Sequence, residues 1–260
     1  MLAIPVDVLR EILEHVDKSD LATICRVNKT CCSCSQNVLY RNIYGDERVI
    51  RTLARSTDLA RRVRSFEISS NCPELATALR NMSSLRRLKH SDLYCDPSIL
   101  DGCTFKLDSL ICTFRYCESL HKFLDSQSSL TEFAIYCHYI PPPSFEATFL
   151  PNLTRVGAQQ GWARILIPGR PVSEVMVIEP WDERDSVDLE PWDELDPVDF
   201  SIFTLSTALI RKLHINYSGL YHTTGSHLAS ISPSLEHLTI EYDDIHGVVR
   251  IPYICLFNRC

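Results

Sequence analysis

The chain lacks any apolar run that would cross a membrane, and it lacks a secretion signal at its N-terminus. No apolar segment reaches the roughly 18 residues that a spanning helix needs. The first residues have no basic flank, no uninterrupted apolar stretch and no small-residue cleavage site. The sequence therefore predicts a protein of the cytoplasm, the nucleus or both, without membrane contact.

Motifs of catalysis are absent as well. There is no glycine-rich phosphate loop, no nucleophile-elbow pentapeptide and no helix motif with paired zinc-binding histidines. The 9 histidines are scattered along the chain, and no catalytic triad can be argued from them. We therefore expect no catalytic residue and no cofactor, and an enzyme with an unrecognised site is the least supported class of function.

The 12 cysteines form no recognisable metal site or disulfide framework. In a reducing compartment, cysteines are more often small buried hydrophobic residues than bridges. The run Cys31–Cys34 contains one Cys-x-x-Cys, but a structural zinc site needs a second pair of ligands. The later residues Cys112, Cys117 and Cys137 do not supply that pair in its usual form. We expect core thiols and no metal, with redox sensing within the Cys31–Cys34 run as an alternative.

Acidic charge is concentrated in one segment. The formal net charge is −7, whereas residues 179–200 alone carry ten Asp or Glu and one Arg, so the rest of the chain sums to +2. Within this segment EPWDERDSVDL is followed by EPWDELDPVDF, and eight of the eleven positions are identical. The charge density and the prolines oppose helix formation and compaction, so we expect a solvated loop that arose by duplication. The alternative is that Trp181 and Trp192 anchor the loop on the domain or on a basic partner.

The N-terminus predicts three short amphipathic helices. Pro5 precedes the first helix, where its missing N–H costs nothing, and Asp7 lies in the first turn. A third helical stretch ends at Leu39. Three short helices bury too little apolar surface to be stable alone, so we expect something outside the segment to cover the remainder. The apolar positions at helical spacing are Leu9, Ile12, Leu13 and Val16, then Leu21, Ile24 and Val27.

From residue 63 onward, an apolar pattern recurs with the spacing of short strands. Successive units begin 22, 22, 23, 23, 19, 38 and 25 residues apart. Each unit predicts one strand and a return segment, and stacking of the units buries the apolar positions. Removing one copy of the acidic duplication shortens the 38-residue spacing to 27, which places the insert in a return loop. The units are Val63/Phe66/Ile68, Leu85/Leu88/His90, Leu107/Leu110/Cys112, Leu130/Phe133/Ile135, Leu153/Val156/Ala158, Val172/Val175/Val177, Ile210/Leu213/Ile215 and Leu235/Leu238/Ile240.

Helical returns are expected at 73–82, 118–126 and 222–231, and a short basic helix is expected between 49 and 59. The proline triplet at 141–143 marks a stiff turn that belongs neither to a helix interior nor to a central strand. A generic α/β domain with partly accidental periodicity is the alternative to a repeat array.

The N-terminal helices resemble an F-box, and the repeating units resemble irregular leucine-rich repeats. The expected fold class is α/β, with a three-helix F-box module followed by an irregular leucine-rich-repeat-like solenoid of short parallel strands. The expected domains are an F-box at 1–44, a linker helix at 45–58 and a repeat domain at 59–260 that contains the acidic insert 179–200. An F-box usually has an aromatic near the position of Cys31. The F-box resemblance rests on Ile4-Pro5, Val8-Leu9, Ile12-Leu13, Asp20-Leu21, Ile24, Val27, Lys29 and Leu39-Tyr40-Arg41.

The resemblance implies a substrate-recognition subunit of an SCF-type cullin–RING ubiquitin ligase. The F-box would bind the Skp-type adaptor, and the repeats would bind a protein target that the sequence does not name. Such a receptor performs no chemistry itself. The alternative is a repeat scaffold whose N-terminal helices only cap the solenoid. The expected adaptor-binding residues are Ile4, Pro5, Val8, Leu9, Ile12, Leu13, Leu21 and Ile24.

Strand alternation predicts which side chains line the outward face of the repeats. The early part of this face is basic, because Arg61, Arg62 and Arg64 precede Arg86, Arg87 and Lys89. An acidic or phosphorylated target segment would pair there, and a solvated charged face is the alternative. Nucleic acid is disfavoured because aromatic residues are not interleaved with the charges. The candidate target-binding residues are Arg87, Lys89, Tyr136, Arg155, Lys212, His214 and His237.

Overall fold

The computed structural model describes residues 4–92, 95–137, 145, 146, 148–178, 200–216, 234–244 and 247–253. The chain divides into two compact units, residues 1–108 and residues 109–260. We refer to them as unit 1 and unit 2 and describe each by itself. Within the described ranges, no helix has both the length and the apolar character that crossing a bilayer requires.

Unit 1 begins with three short helices, α1 (Val6–Glu14), α2 (Lys18–Ile24) and α3 (Lys29–Leu39). The helix α1 follows Pro5, and α3 begins where the Asn28 side chain accepts a hydrogen bond of 2.8 Å from the Cys31 amide. Leu13, Leu21 and Cys34 form a small buried cluster, with further apolar residues packed around it. One buried apolar residue from each helix therefore holds the three helices together.

The helices lead into a parallel sheet of three strands, β1 (Asn42–Gly45), β2 (Ser65–Ile68) and β3 (Arg87–His90). The helices α4 (Glu47–Arg55) and α5 (Thr57–Ala60) connect β1 to β2, and α6 (Leu75–Asn81) connects β2 to β3. A 3-10 helix spans Pro97–Leu100. The ring of Phe66 lies so close to Gly45 that a Cβ there would come within 2.6 Å of it, which explains the glycine.

Unit 2 continues the same alternation. Its strands β4 to β9 pair in chain order and are all parallel, and β10 pairs antiparallel with β9. Helices α7 and α8 and a second 3-10 helix at Phe200–Leu205 lie between strands. The bounds are β4 (Ser109–Cys112), α7 (Glu118–Asp125), β5 (Glu132–Ile135), β6 (Arg155–Ala158), α8 (Gln160–Leu166), β7 (Glu174–Ile178), β8 (Lys212–Asn216), β9 (His237–Asp244) and β10 (Gly247–Tyr253).

The predicted fold class is confirmed, because a three-helix module is followed by nine strands, three in unit 1 and six in unit 2, that are parallel within each unit and alternate with helices. From Val63 to Leu238, every residue of the predicted apolar pattern is buried. The helices expected at 73–82 and 118–126 are α6 and α7. The helix expected at 222–231, the turn at 141–143 and the acidic insert up to residue 199 lie outside the described residues.

Arg170 is a buried feature that the sequence did not reveal. It follows Gly169, whose φ of 72° turns the chain, and its side chain is only 1% exposed. The guanidinium donates to the carbonyl oxygens of Phe149 (2.8 Å), Ile165 (3.0 Å) and Glu146 (2.9 Å), among others. Burial lowers the pKa of this guanidinium. The side chain thus ties the end of α8 to the segment that precedes β6.

Candidate protein-interaction surfaces

One face of α1 is apolar and open to solvent. Ile4 lies just before Pro5, the N-cap of α1, whereas Val8 and Ile12 are four residues apart within the helix and therefore lie above one another on its surface. Their exposed fractions are 60%, 45% and 49%. Pro5 and Val6 beside them are exposed as well. We call Ile4, Val8 and Ile12 the apolar stripe. Leaving three such side chains in water is unfavourable by about 25 cal/mol for every Å² of apolar surface, so a partner that covers them gains free energy.

The other predicted adaptor-binding residues lie on the inner side of the helices. Leu13 and Leu21 are buried in the cluster with Cys34, whereas Leu9 and Ile24 pack against that cluster and are half-buried. The structure therefore divides the eight predicted residues into an exposed set of four, a half-buried pair and a buried pair. Val6 and Val27 are exposed residues that the predicted set did not include, and Val27 is 68% exposed.

The back of α1 is fixed to the sheet by an ion pair. Glu14 at the end of α1 accepts a hydrogen bond of 2.6 Å from Arg41, just before β1. Both side chains are about half exposed, so the pair contributes little, on the order of 0.5 kcal/mol. The Arg62 side chain adds a hydrogen bond of 3.1 Å to the Ser33 carbonyl of α3 and a second one to Asn37. The three-helix module is thus held on the sheet by polar contacts that leave the apolar stripe uncovered.

A second surface is a cavity of about 330 Å³ on the outward face of the unit 2 strands. Along one edge, the five strands β5 to β9 each place one polar or charged residue at the same register position. In strand order these residues are Glu132, Arg155, Glu174, Lys212 and His237. Glu174 pairs with Arg155 at 3.0 Å and with Lys212 at 2.8 Å. Opposite charges therefore alternate across the strands and largely neutralise one another. We call this cavity the sheet-face cavity.

The sheet-face cavity is deep where Ala134 and Gly157 leave little side-chain volume. The next outward register position, two residues along each strand, is occupied by Ala134, Gly157, Met176 and His214. A Cβ on Gly157 would lie 2.8 Å from the Ala134 Cβ, a distance that real Cβ atoms do not reach, so no larger residue fits without a shift. The Tyr136 hydroxyl contacts the Met176 sulfur at 3.9 Å at the rim. Burial raises the pKa of Tyr136, and the Glu132 carboxylate and Cys112 add to the shift, so the phenol stays protonated at neutral pH.

Five of the seven predicted target-binding residues meet at this cavity, namely Tyr136, Arg155, Lys212, His214 and His237. The other two lie in unit 1. Lys89 is 2.6 Å from Glu67 on the neighbouring strand, and Arg87 lines a different cavity. Gly157 and Met176 were missed because the prediction considered charged and polar side chains only. The alternation that located their neighbours also placed them on the outward face.

The ten described cysteines form no disulfide bond. Burial raises the pKa of three of them, Cys95, Cys103 and Cys112, to about 12. A thiol with such a pKa is protonated at neutral pH and reacts slowly. In the portion of the chain that the structure describes, no three His, Cys, Asp or Glu side chains are grouped so as to hold a metal ion.

A comparison with models of protein families matches residues 1–42 to the F-box domain. The match begins before α1, includes α1, α2 and α3, and ends at the first residue of β1. A comparison with curated proteins finds no match for the chain. Residues 1–42 are thus an F-box domain, which is a non-catalytic module of ubiquitin ligases, and a parallel α/β sheet region follows it. The leucine-rich-repeat resemblance rests on the parallel strands and their helical returns.

Proposed function

We propose that this chain is the substrate-recognition subunit of an SCF-type cullin–RING ubiquitin ligase, starting from the F-box domain at residues 1–42. The F-box binds a Skp-type adaptor through the apolar stripe, and the face of the repeats binds the protein to be ubiquitinated. The observation that carries the proposal is the exposure of Ile4, Val8 and Ile12 on a module that matches the F-box domain.

The division of the residues of α1 and α2 into exposed and buried sets supports an adaptor contact. The buried pair Leu13 and Leu21 keeps the helices together, so these residues act on the adaptor surface indirectly. The stripe and Pro5 make the direct contact, and Leu9 and Ile24 lie at its edge. An apolar patch presented by a packed helix loses little conformational freedom on binding, which favours a stable contact.

The sheet-face cavity supports target binding. Its charged edge is neutralised internally, and its floor is made of small and apolar residues, which suits an apolar side chain of a target protein. Tyr136, Arg155, Lys212, His214 and His237 form the rim of this target-binding surface. Ubiquitination itself takes place elsewhere in the ligase. The receptor raises the effective concentration of target lysines near the conjugating enzyme.

The proposal includes the domain boundaries and the location. The F-box occupies 1–44, residues 45–58 link it to the repeats, and the repeats run from 59 to 260 with the acidic insert at 179–200. The strand β1 at Asn42–Gly45 spans the first boundary and already pairs with β2, so the sheet begins inside the F-box region. A ligase receptor of this kind works in the cytoplasm, the nucleus or both, and it requires neither a membrane nor nucleic acid.

The alternative function is that of a repeat scaffold on which the three helices are only a cap. The hydrogen bonds from Arg62 to α3 favour this alternative, because they hold the helices on the sheet. A cap, however, gives no role to the apolar stripe, which points away from the buried cluster.

Binding of purified Skp-type adaptor to the full chain separates the two functions. The double variant Val8→Asp plus Ile12→Asp places charge on the stripe, and Leu209→Asp places charge on a 72% exposed apolar residue of unit 2. We expect the double variant to lose adaptor binding by at least about a hundredfold, because an unpaired carboxylate would be buried at the contact, and Leu209→Asp to bind normally. Adaptor binding that is absent in the wild type, or equal in all three proteins, would exclude the ligase role.

A further inference from the structure

A large open cavity of unit 1 carries an excess of positive charge. It has a volume of about 950 Å³, and seven of its twelve lining residues are arginines, against three acids. We call it the arginine cleft. It is lined by side chains from α1, from the end of α3, from the segments that precede β1, β2 and β3, and by Arg87 on β3 and Asp108. The arginines that matter below are Arg10, Arg41, Arg61, Arg64, Arg86 and Arg87.

Three of these arginines are held in a row by the sheet. Arg41, Arg64 and Arg86 directly precede β1, β2 and β3. The Arg64 amide donates to the Arg41 carbonyl at 2.9 Å, and the Arg86 amide donates to the Arg64 carbonyl at 2.9 Å. Because neighbouring strands are about 4.8 Å apart, the three side chains start from a rigid row roughly 10 Å long. A row of this length matches several residues of a ligand rather than a single small acid.

Two guanidinium ions of the cleft already form ion pairs with carboxylates. Glu14 lies 2.6 Å from Arg41, and Asp108 lies 3.6 Å from Arg86. These contacts involve side chains that are about half exposed, so an incoming carboxylate can reach the same ions. Arg61 and Arg87 are exposed and form no ion pair within the described residues. The planar fork of arginine fits a carboxylate through two hydrogen bonds, which lysine does not do.

We infer that the arginine cleft binds an acidic, carboxylate-rich peptide segment of a partner protein. Four net positive charges, from seven arginines and three acids, favour such a segment. The lining contains no aromatic residue on which a base would stack, and Glu14, Asp58 and Asp108 oppose a continuous phosphate backbone, so nucleic acid is disfavoured. The site is additional to the apolar stripe and to the sheet-face cavity. Its test does not depend on the ligase role, because the chain is measured alone.

The sequence pointed to only part of this site. The sequence predicts a basic region made of Arg61, Arg62, Arg64, Arg86, Arg87 and Lys89, and the five arginines line the cleft. Lys89 is paired with Glu67 and does not line it. Arg10 and Arg41 were not part of that basic region, since Arg10 lies on α1 and Arg41 directly precedes β1, and both reach the cleft only through tertiary packing.

The experiment is a fluorescence anisotropy titration of the full chain with a short labelled peptide rich in Asp and Glu. The variant Arg61→Glu plus Arg87→Glu reverses the charge of two exposed arginines of the cleft. The matched control is Arg48→Glu plus Arg55→Glu, which makes the same change of charge on exposed positions of α4 outside the cleft. A second variant, Arg61→Gln plus Arg87→Gln, removes charge without reversing it, and the melting temperature of each protein confirms that it is folded.

We expect the wild type and the α4 control to bind the acidic peptide with similar affinity, and binding to weaken as salt is added. The Arg61→Glu plus Arg87→Glu variant should bind at least about tenfold more weakly, and the glutamine variant should be intermediate. Equal losses in the cleft variant and the α4 control would overturn the inference, as would failure of the wild type to bind at low salt. Two further probes, a matched phosphoserine peptide and a single-stranded RNA, complete the test. Binding of either one without the carboxylate peptide would also overturn it.

Discussion

Ile12 and Leu13 are adjacent in the sequence and about 100° apart around α1, yet their exposed fractions are 49% and 2%. Leu13 packs with Leu21 and Cys34, whereas Ile12 continues the apolar stripe of Ile4 and Val8. This division separates residues that stabilise the F-box from residues available to a partner. The variants Leu13→Ala and Ile12→Ala should therefore differ in their effect on the free energy of unfolding.

Leu13→Ala should lower the free energy of unfolding of the module by about 2–5 kcal/mol, because it leaves a cavity in a cluster with few other residues. Ile12→Ala should change it by less than about 0.5 kcal/mol. Urea denaturation of both variants measures the difference. Similar destabilisation by the two changes would show that Ile12 is also part of the core.

The buried His90 should make the stability of the protein depend on pH. Burial lowers the pKa of His90 to about 4, although the Asp92 carboxylate opposes the shift, whereas an unfolded histidine has a pKa near 6.5. The unfolded chain therefore takes up the proton first as the pH falls. The contribution of neutral, buried His90 to the free energy of unfolding is complete above about pH 6.5. It decreases towards pH 4, by roughly 3 kcal/mol in total. Unfolding by urea at several pH values should show this loss in the wild type.

The variant His90→Leu should remove most of that pH dependence between pH 6.5 and 4, since its side chain does not titrate. The exposed Leu209 serves as a control, because Leu209→Ala removes no titrating group and should retain the wild-type profile. If His90→Leu loses stability with falling pH as steeply as the wild type does, other groups are responsible.

Arg170 should be among the most costly residues to replace in unit 2. Arg170→Leu leaves the carbonyl oxygens of Phe149, Ile165 and Glu146 without their donor and should lower the free energy of unfolding by about 3 kcal/mol or more. Arg170→Lys should lose most of the same amount, because one ammonium group cannot reach carbonyls on different sides. Arg155→Leu, at a half-exposed ion pair, should cost less than about 1 kcal/mol. Equal costs for Arg170→Leu and Arg155→Leu in denaturation experiments would contradict this role.

Gly157→Val should close the sheet-face cavity. The added Cβ would start 2.8 Å from the Ala134 Cβ and 3.5 Å from the Tyr136 hydroxyl, so the floor must rise or the strands must shift. We expect recovery of ubiquitinated targets with the receptor to fall by about tenfold or more while adaptor binding stays at the wild-type level. Quantitative mass spectrometry of both sets of partners measures this separation. If the melting temperature shows that the variant is folded and the recovery of ubiquitinated targets is unchanged, the target site lies elsewhere.

The sequence was sufficient to locate the strands because their apolar residues repeat at fixed spacing. From Val63 to Leu238, each predicted apolar position is buried, and each predicted unit contains a strand. The strands β1 and β10 were not predicted. β1 has only four residues and does not carry the repeating pattern.

The interaction surfaces were predictable only in part. Helical spacing identified the apolar residues of α1, but in a short helix that is apolar on two sides it could not separate Ile12 from Leu13. Strand alternation brought Tyr136 and Lys212 to the same face, yet the depression between them depends on the absence of side-chain volume at Gly157. The arginine cleft requires Arg10 and Arg64, which are distant in sequence and meet only through tertiary packing.

The most direct test of the account is the solvent exposure of the α1 methyl groups with and without the adaptor. Methyl NMR with a soluble paramagnetic probe broadens exposed methyls, so Ile12 should broaden in the free protein while the fully buried Ile50 does not. Saturating Skp-type adaptor should protect Ile12 and leave the exposed Leu209 broadened. If Ile12 remains as broadened with the adaptor as without it, the apolar stripe is not the adaptor contact and the proposed receptor role is contradicted.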